Sequence, residues 1–240
     1  MQIISFDVAT KSLAVSIISY NYNFAEAMTK IGVKYQEYRD YKRNSSLAGV
    51  DYISDILGKY AELLDQVNAI MGAMFTIEYL EVKDLIPNQK IKDTNIIERT
   101  VKLQEYLAHI DTLLPNDPAQ CKVLIEYQMG PNDKSRTISS QIMYHFAKYT
   151  PQGLDIQLVG PTLKNKIFLL NDPNSIYSRF VEKYTTNYAA NKNHSKYNFL
   201  KIIDIYGYHR LIKNIPKKNI DDIADSALMS IAIALREKLI

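Results

Sequence analysis

Apolar and β-branched residues dominate 3–9 (IISFDVA) and 13–21 (LAVSIISYN), and the short TKS turn between them predicts a β-hairpin. Segment 28–38, MTKIGVKYQEY, alternates loosely and is expected to be a third strand. From Gly49 to Met74 the period changes: Ile53, Ile56, Leu57, Tyr60, Leu63, Leu64, Val67, Ile70 and Met71 recur near 3.6, which predicts a helix. FTIEYLEV (75–82) has the composition of a strand. A second helix is expected over 96–114, capped by Asp93 or Thr94 and ended by PNDP at 115–118.

CKVLIEYQ (121–128) is a buried-strand pattern that contains one carboxylate, Glu126. GPNDKS is expected to be a loop, 136–149 a helix, and LDIQLVG (154–160) another strand. Pro161 suits the first turn of a helix over PTLKNKIFLL. The stretch 171–215 is polar and has no readable period, and a closing helix begins near Asp221. A hairpin followed by strands that need crossovers is an α/β chain with mixed strand directions. The length suits one domain over 1–240, with 40–75 as a helical insertion between strands.

Composition narrows the setting. The chain is 47% hydrophobic and 23% charged, a globular balance, and no apolar run is long enough for a membrane span. Its single cysteine, Cys121, excludes an internal disulfide framework and favours a reducing compartment. With no charged-then-apolar leader, an intracellular, soluble protein is expected. The net charge of +3 says little about partners, but its distribution says more. Between Lys183 and Lys218 stand eight Lys and Arg residues and one acid, Asp204, interleaved with Tyr184, Tyr188, Tyr197, Tyr206 and Tyr208. Bases could stack on such rings while the cations neutralise phosphates; a solvated basic face would look the same. The four histidines lack metal-ligand spacing, and no glycine-rich phosphate loop is present.

The candidate chemistry lies in acids that interrupt apolar elements: Asp7 in the first strand, Glu126 in a late one, and Asp222 and Asp225 at the head of the last helix. Each has an ordinary explanation. Asp7 could cap a turn, Glu126 could pair with an arginine, and Asp222 could cap its helix. Together they suggest something else, because buried carboxylates are costly unless paired or bound to a cation. Spaced by three, Asp222 and Asp225 share a helix face. Carboxylates converging beside one sheet would suit Mg²⁺, which takes oxygen ligands and retains waters. Two such ions roughly 4 Å apart serve in-line phosphodiester hydrolysis.

FDVATKSLAVSII, VLIEYQMGPNDKSRTISSQIMYHF and DDIADSALMSIAIA resemble, in this order, the motifs of RuvC-like Holliday junction resolvases of the ribonuclease H-like superfamily. The poxvirus and large-DNA-virus type is the most similar, and LIPNQKIKDTNIIERTVKLQEYL adds to the likeness. The resemblance implies a mixed five-stranded sheet with an antiparallel opening hairpin, flanked by helices. It implies a homodimer that binds four-way junctions and other branched DNA and nicks opposing strands symmetrically. Asp7, Glu126, Asp222 and Asp225 would hold two Mg²⁺, with Mn²⁺ as a substitute, and Asp221 would only add charge. A lysine after the penultimate strand would stabilise phosphate charge; Lys166 fits best and Lys164 is the alternative. Gln128, Asn132, Lys134, Ser135 and Arg136 would contact DNA beside the metals, and Ile142, Phe146 and Tyr149 would face either a second subunit or the core. If the source is viral, host-cell replication sites in the cytoplasm are the expected location. Two alternatives remain open: cleavage of RNA–DNA hybrids or flaps, and a non-enzymatic junction-binding protein with structural acids.

Overall fold

In the computed structural model the described residues are 1–21, 74–87, 95–127, 133–163 and 182–236, with isolated positions between 26 and 72, Lys90 and Phe180. β1 (Gln2–Val8) and β2 (Ser12–Tyr20) form the expected hairpin, in register from Gln2↔Ser19 to Val8↔Leu13. The Ala9 N–H donates to the Ser12 carbonyl at 3.0 Å to close the turn. β3 (Phe75–Asp84) pairs antiparallel with β2. β4 (Cys121–Glu126) runs parallel to β1, and β5 (Asp155–Val159) parallel to β4. The sheet order is β3-β2-β1-β4-β5.

Strand alternation divides the core into two layers. Ile4, Phe6 and Val8 of β1, with Val123 and Ile125 of β4, face α1 (Ile96–Asp111) and α2 (Asp133–Ala147) through Leu103, Leu107, Ile138 and Phe146. Ile3 and Leu124 face the other way. There they meet α5 (Ile220–Arg236) and α3 (Asn187–Tyr206), which is followed by the short α4 (His209–Ile212). α3 ends at Gly207, whose φ of 74° is the left-handed closure that glycine allows without strain.

Several expectations need correction. The described positions in 28–38 (Thr29, Lys30, Val33 and Gln36) are helical, so the third strand is β3 instead. α1 is capped by Asn95, whose side chain accepts from the Ile97 N–H at 2.9 Å, and not by Asp93 or Thr94. α2 begins at Asp133, which takes part of the expected loop into a helix; an acid on the first turn complements the helix dipole. Of the insertion expected at 40–75, Glu62, Asp65, Gln66, Ala69, Gly72 and Met74 are described and helical. Phe75 already opens β3; the rest of it, and the helix expected over PTLKNKIFLL beyond Leu163, lie outside the described residues. Ile142 and Phe146 are fully buried and Tyr149 packs beside them, so that face of α2 belongs to the core. Among the described residues no helix is long and apolar enough to cross a membrane.

Candidate active site

The geometry is set by four buried serines. Ser5 of β1 and Ser16 of β2 are cross-strand partners, and both face α5. Ser226 donates to the Ser5 carbonyl at 2.8 Å and lies 3.0 Å from the Ser16 hydroxyl. One turn further on, Ser230 hydrogen-bonds the Ser5 hydroxyl at 2.5 Å. These bonds fix α5 in rotation and along its axis, because a slip of one residue would leave buried hydroxyls unpaired. Ala227, Leu228 and Ile231 pack beside them.

β1 and β4 are in register up to Phe6↔Ile125, so Asp7 and Glu126 stand side by side, one residue further along. Each lies two residues beyond a side chain that faces α5, Ser5 and Leu124 respectively, so period two turns both carboxylates to that face. Asp222 precedes Ser226 by one turn. The direction of approach follows from α3. Its C-terminal Tyr206 packs edge-on against Phe75, which pairs with Tyr20 at the end of the sheet where β1 begins. Lys192, about 21 Å back along α3 at 1.5 Å per residue, therefore lies toward the end where β1 and β4 finish. There its ammonium meets the head of α5, 2.7 Å from Asp221 and 3.9 Å from Asp222.

All of the donors are carboxylate oxygens, drawn from two strand ends and one helix, as a hard divalent cation requires. Asp7, Glu126, Asp222 and Asp225 therefore fit such an ion in chemistry, face and end of the sheet. Among the described residues, no three acidic, histidine or cysteine side chains are close enough to hold an ion as they stand. Like charges repel, and Lys192 supplies a positive charge to Asp221 and Asp222. Asp221 is thus an ion-pair partner, more than the added charge expected of it. Burial lowers the Lys192 pKa, but the hydrogen bond and charge of Asp221 outweigh this and raise it above the usual lysine range.

The remaining expected residues divide. Lys134 and Arg136 are exposed on the first turn of α2, where Arg136 pairs with Asp133. Ser135 is buried, 3.1 Å from the Thr10 hydroxyl, and ties α2 to the β1–β2 turn instead of facing DNA. Gln128, Asn132, Lys164 and Lys166 lie outside the described residues. Most tyrosines of the basic segment pack inward: Tyr206 and Tyr208 lie against the α5 core, and Tyr197 lies against Phe180. Tyr188, 74% exposed and one turn before Lys192, is the clear exception. Arg210, Lys213, Lys217 and Lys218 are exposed cations. His194 is buried, and His145 hydrogen-bonds Asp111 at 2.9 Å, as packing histidines do. Cys121 is also buried, which pushes its thiol up to about 12, far from nucleophilic character.

The contact of Lys192 with α5, the burial of Arg99 and the serine set escaped the sequence reading. Ser226 and Ser230, spaced by four inside an apolar helix, were a usable sign. Arg99 occupies a core position on α1, only 1% exposed, with no hydrogen-bond partner for its guanidinium among the described residues.

No family model matches the chain, and no curated protein matches it either. Solved structures do. A fowlpox virus resolvase in complex with its substrate Holliday junction DNA is similar over 100% of this chain and 99% of that one, at 14% identity and a TM-score of 0.50. Another structure of the fowlpox virus Holliday junction resolvase is 17% identical over the full length of both chains, with a TM-score of 0.47. Thermus thermophilus RuvC bound to a junction substrate is 10% identical over 100% and 96% of the two chains, with a TM-score of 0.49. At 14% identity the likeness to the first of these shows the fold alone: a mixed five-stranded sheet flanked by helices.

Proposed function

We propose that this chain, read as one domain, is a structure-selective endonuclease that resolves four-way junctions and other branched DNA by paired symmetric nicks. One observation carries the reading: Asp7, Glu126 and the α5 aspartates stand on one face and toward one end of a ribonuclease H-like sheet. Asp7, Glu126, Asp222 and Asp225 are the residues to hold two Mg²⁺, or Mn²⁺ in their place. When bound, such ions activate water and stabilise a leaving oxygen. The chain's own contribution is alignment. Two strand ends fix the backbone positions of two carboxylates, and the serine-anchored α5 presents two more from the same face of the sheet.

Lys166, or Lys164, neutralises charge on the scissile phosphate, while Gln128, Asn132, Lys134 and Arg136 hold the backbone beside it. Four-way junctions are favoured as substrate by the three motifs in order and by the fowlpox virus resolvase, which shares this fold and was solved with junction DNA. A homodimer suits two nicks placed symmetrically. The exposed apolar side chains Ile97, Val101 and Tyr144, on the adjacent helices α1 and α2, support a second copy docking there.

The test is a synthetic mobile junction, end-labelled on each strand in turn and incubated with and without Mg²⁺. Twin nicks at symmetric positions, dependent on the ion, are expected. Equal cleavage of an RNA–DNA hybrid would favour the hybrid nuclease, and binding without any cleavage would favour a structural role for the acids.

A further inference from the structure

Lys192 is one of the eight cations of the basic, tyrosine-interleaved segment, in the stretch 171–215 that matches the resolvase motifs least, and a contact with α5 was not among the roles expected of it. Its ammonium bridges two neighbouring aspartates of α5, close to Asp221 at 2.7 Å and looser on Asp222 at 3.9 Å. Asp222 is an expected metal ligand and Asp221 is not. The lysine is only about one-third exposed, and its helix is pinned by Phe199, Ile202 and Ile203 in the core, so it cannot swing far from α5. We propose that Lys192 is an internal counter-cation that competes with the divalent ion for Asp222, and that Asp221 is the station to which it withdraws. The proposal rests on the assignment of Asp222 to the metal site.

The physical argument is one of charge. In the ion-free chain the head of α5 carries Asp221, Asp222 and Asp225, a repulsive set that Lys192 relieves. A divalent ion arriving at Asp222 meets an ammonium already within electrostatic reach. Because the shorter contact is to Asp221, the lysine can give up Asp222 without being left unpaired. Asp221 thereby keeps a positive charge beside the site in both states. Lys192 is in this sense a positioning residue: it governs when the carboxylates accept an ion and takes no part in bond breaking.

The test is direct Mn²⁺ binding to the full chain, read as the free-ion signal in electron paramagnetic resonance, without DNA. Lys192→Met removes the competitor and should tighten Mn²⁺ binding about fivefold, the effect of losing a partly exposed ion pair. Asp221→Asn removes the withdrawal station, leaves the lysine on Asp222, and should weaken binding. Lys196→Met, one turn further along α3, removes the same charge without that contact and should change affinity far less. Circular dichroism melting checks folding, and Lys192→Gln replaces Lys192→Met if the latter is unfolded.

Equal affinities for Lys192→Met and wild type, or equal shifts for the Lys192 and Lys196 variants, would overturn the proposal while leaving the nuclease reading intact. Asp225→Asn separates the two failures. If it binds Mn²⁺ as wild type does, or if wild type binds none, the metal-site assignment itself falls, and this proposal with it.

Discussion

Replacing Ser226 with alanine tests the anchoring of α5 directly. The side chain is fully buried, donates to the Ser5 carbonyl at 2.8 Å and lies 3.0 Å from the Ser16 hydroxyl. With one proton to give, it donates to the carbonyl and accepts from Ser16. Each neutral hydrogen bond contributes about 1 kcal/mol net, and leaving the Ser16 hydroxyl short of this partner keeps the cost near 2 kcal/mol. Alanine is the better helix former by about 0.5 kcal/mol, which offsets part of the loss. The expected destabilisation is about 1.5 kcal/mol, or a fall in melting temperature of roughly 3 °C for a chain of this size. Urea and thermal unfolding of wild type, Ser226→Ala, Ser16→Ala and the double variant would measure it. The double variant removes both partners and should cost at least about 0.5 kcal/mol less than the sum of the singles. A Ser226→Ala protein as stable as wild type, or strict additivity in the cycle, would refute the claim that these hydroxyls lock the helix.

Two further predictions concern the other face of the sheet. Burial raises the pKa of Asp111, but its hydrogen bonds to Lys148 and His145 outweigh that, and the net shift is downward. The unfolded carboxyl then binds more protons as pH falls, so this stabilisation is complete above about pH 4 and disappears as pH drops through the lower folded value. Urea midpoints of wild type and Asp111→Asn should therefore differ at pH 6 and converge in strong acid; a constant gap would contradict the assignment. Arg99→Met keeps volume and removes a buried cation whose guanidinium has no hydrogen-bond partner among the described residues. Stability should stay within about 1 kcal/mol of wild type or rise. A loss of several kcal/mol in the same urea assay would show that the cation is compensated.

What the sequence revealed, and what it concealed, follows from how far each signal reaches. The hairpin, β3, β4, β5 and α5 were legible because each is either a sustained apolar run bounded by turn residues or an apolar stripe of one period. Segment 28–38 misled because Thr29, Val33 and Gln36, spaced by three and four, fit a helix as well as a loose alternation. α3 could not be parsed because its buried face includes His194, Ser195 and Asn198, polar residues that blur the stripe. Asp7 and Glu126 stood out as acids inside apolar strands, a local anomaly visible in one dimension. Lys192 carried no such mark: a lysine among lysines reveals its partner only when α3 is laid against α5. Likewise, period alone showed Ile142 and Phe146 to share a face but not which surface covers it.

The most direct test of the central claim compares wild type with Asp225→Asn and Asp7→Asn on an end-labelled four-way junction, scoring cleavage in Mg²⁺ and binding by gel shift in EDTA. Symmetric nicking by wild type, none by either variant, and junction binding retained by all three is the result predicted. Cleavage by either variant at the wild-type rate would contradict the assignment of these carboxylates to the catalytic centre.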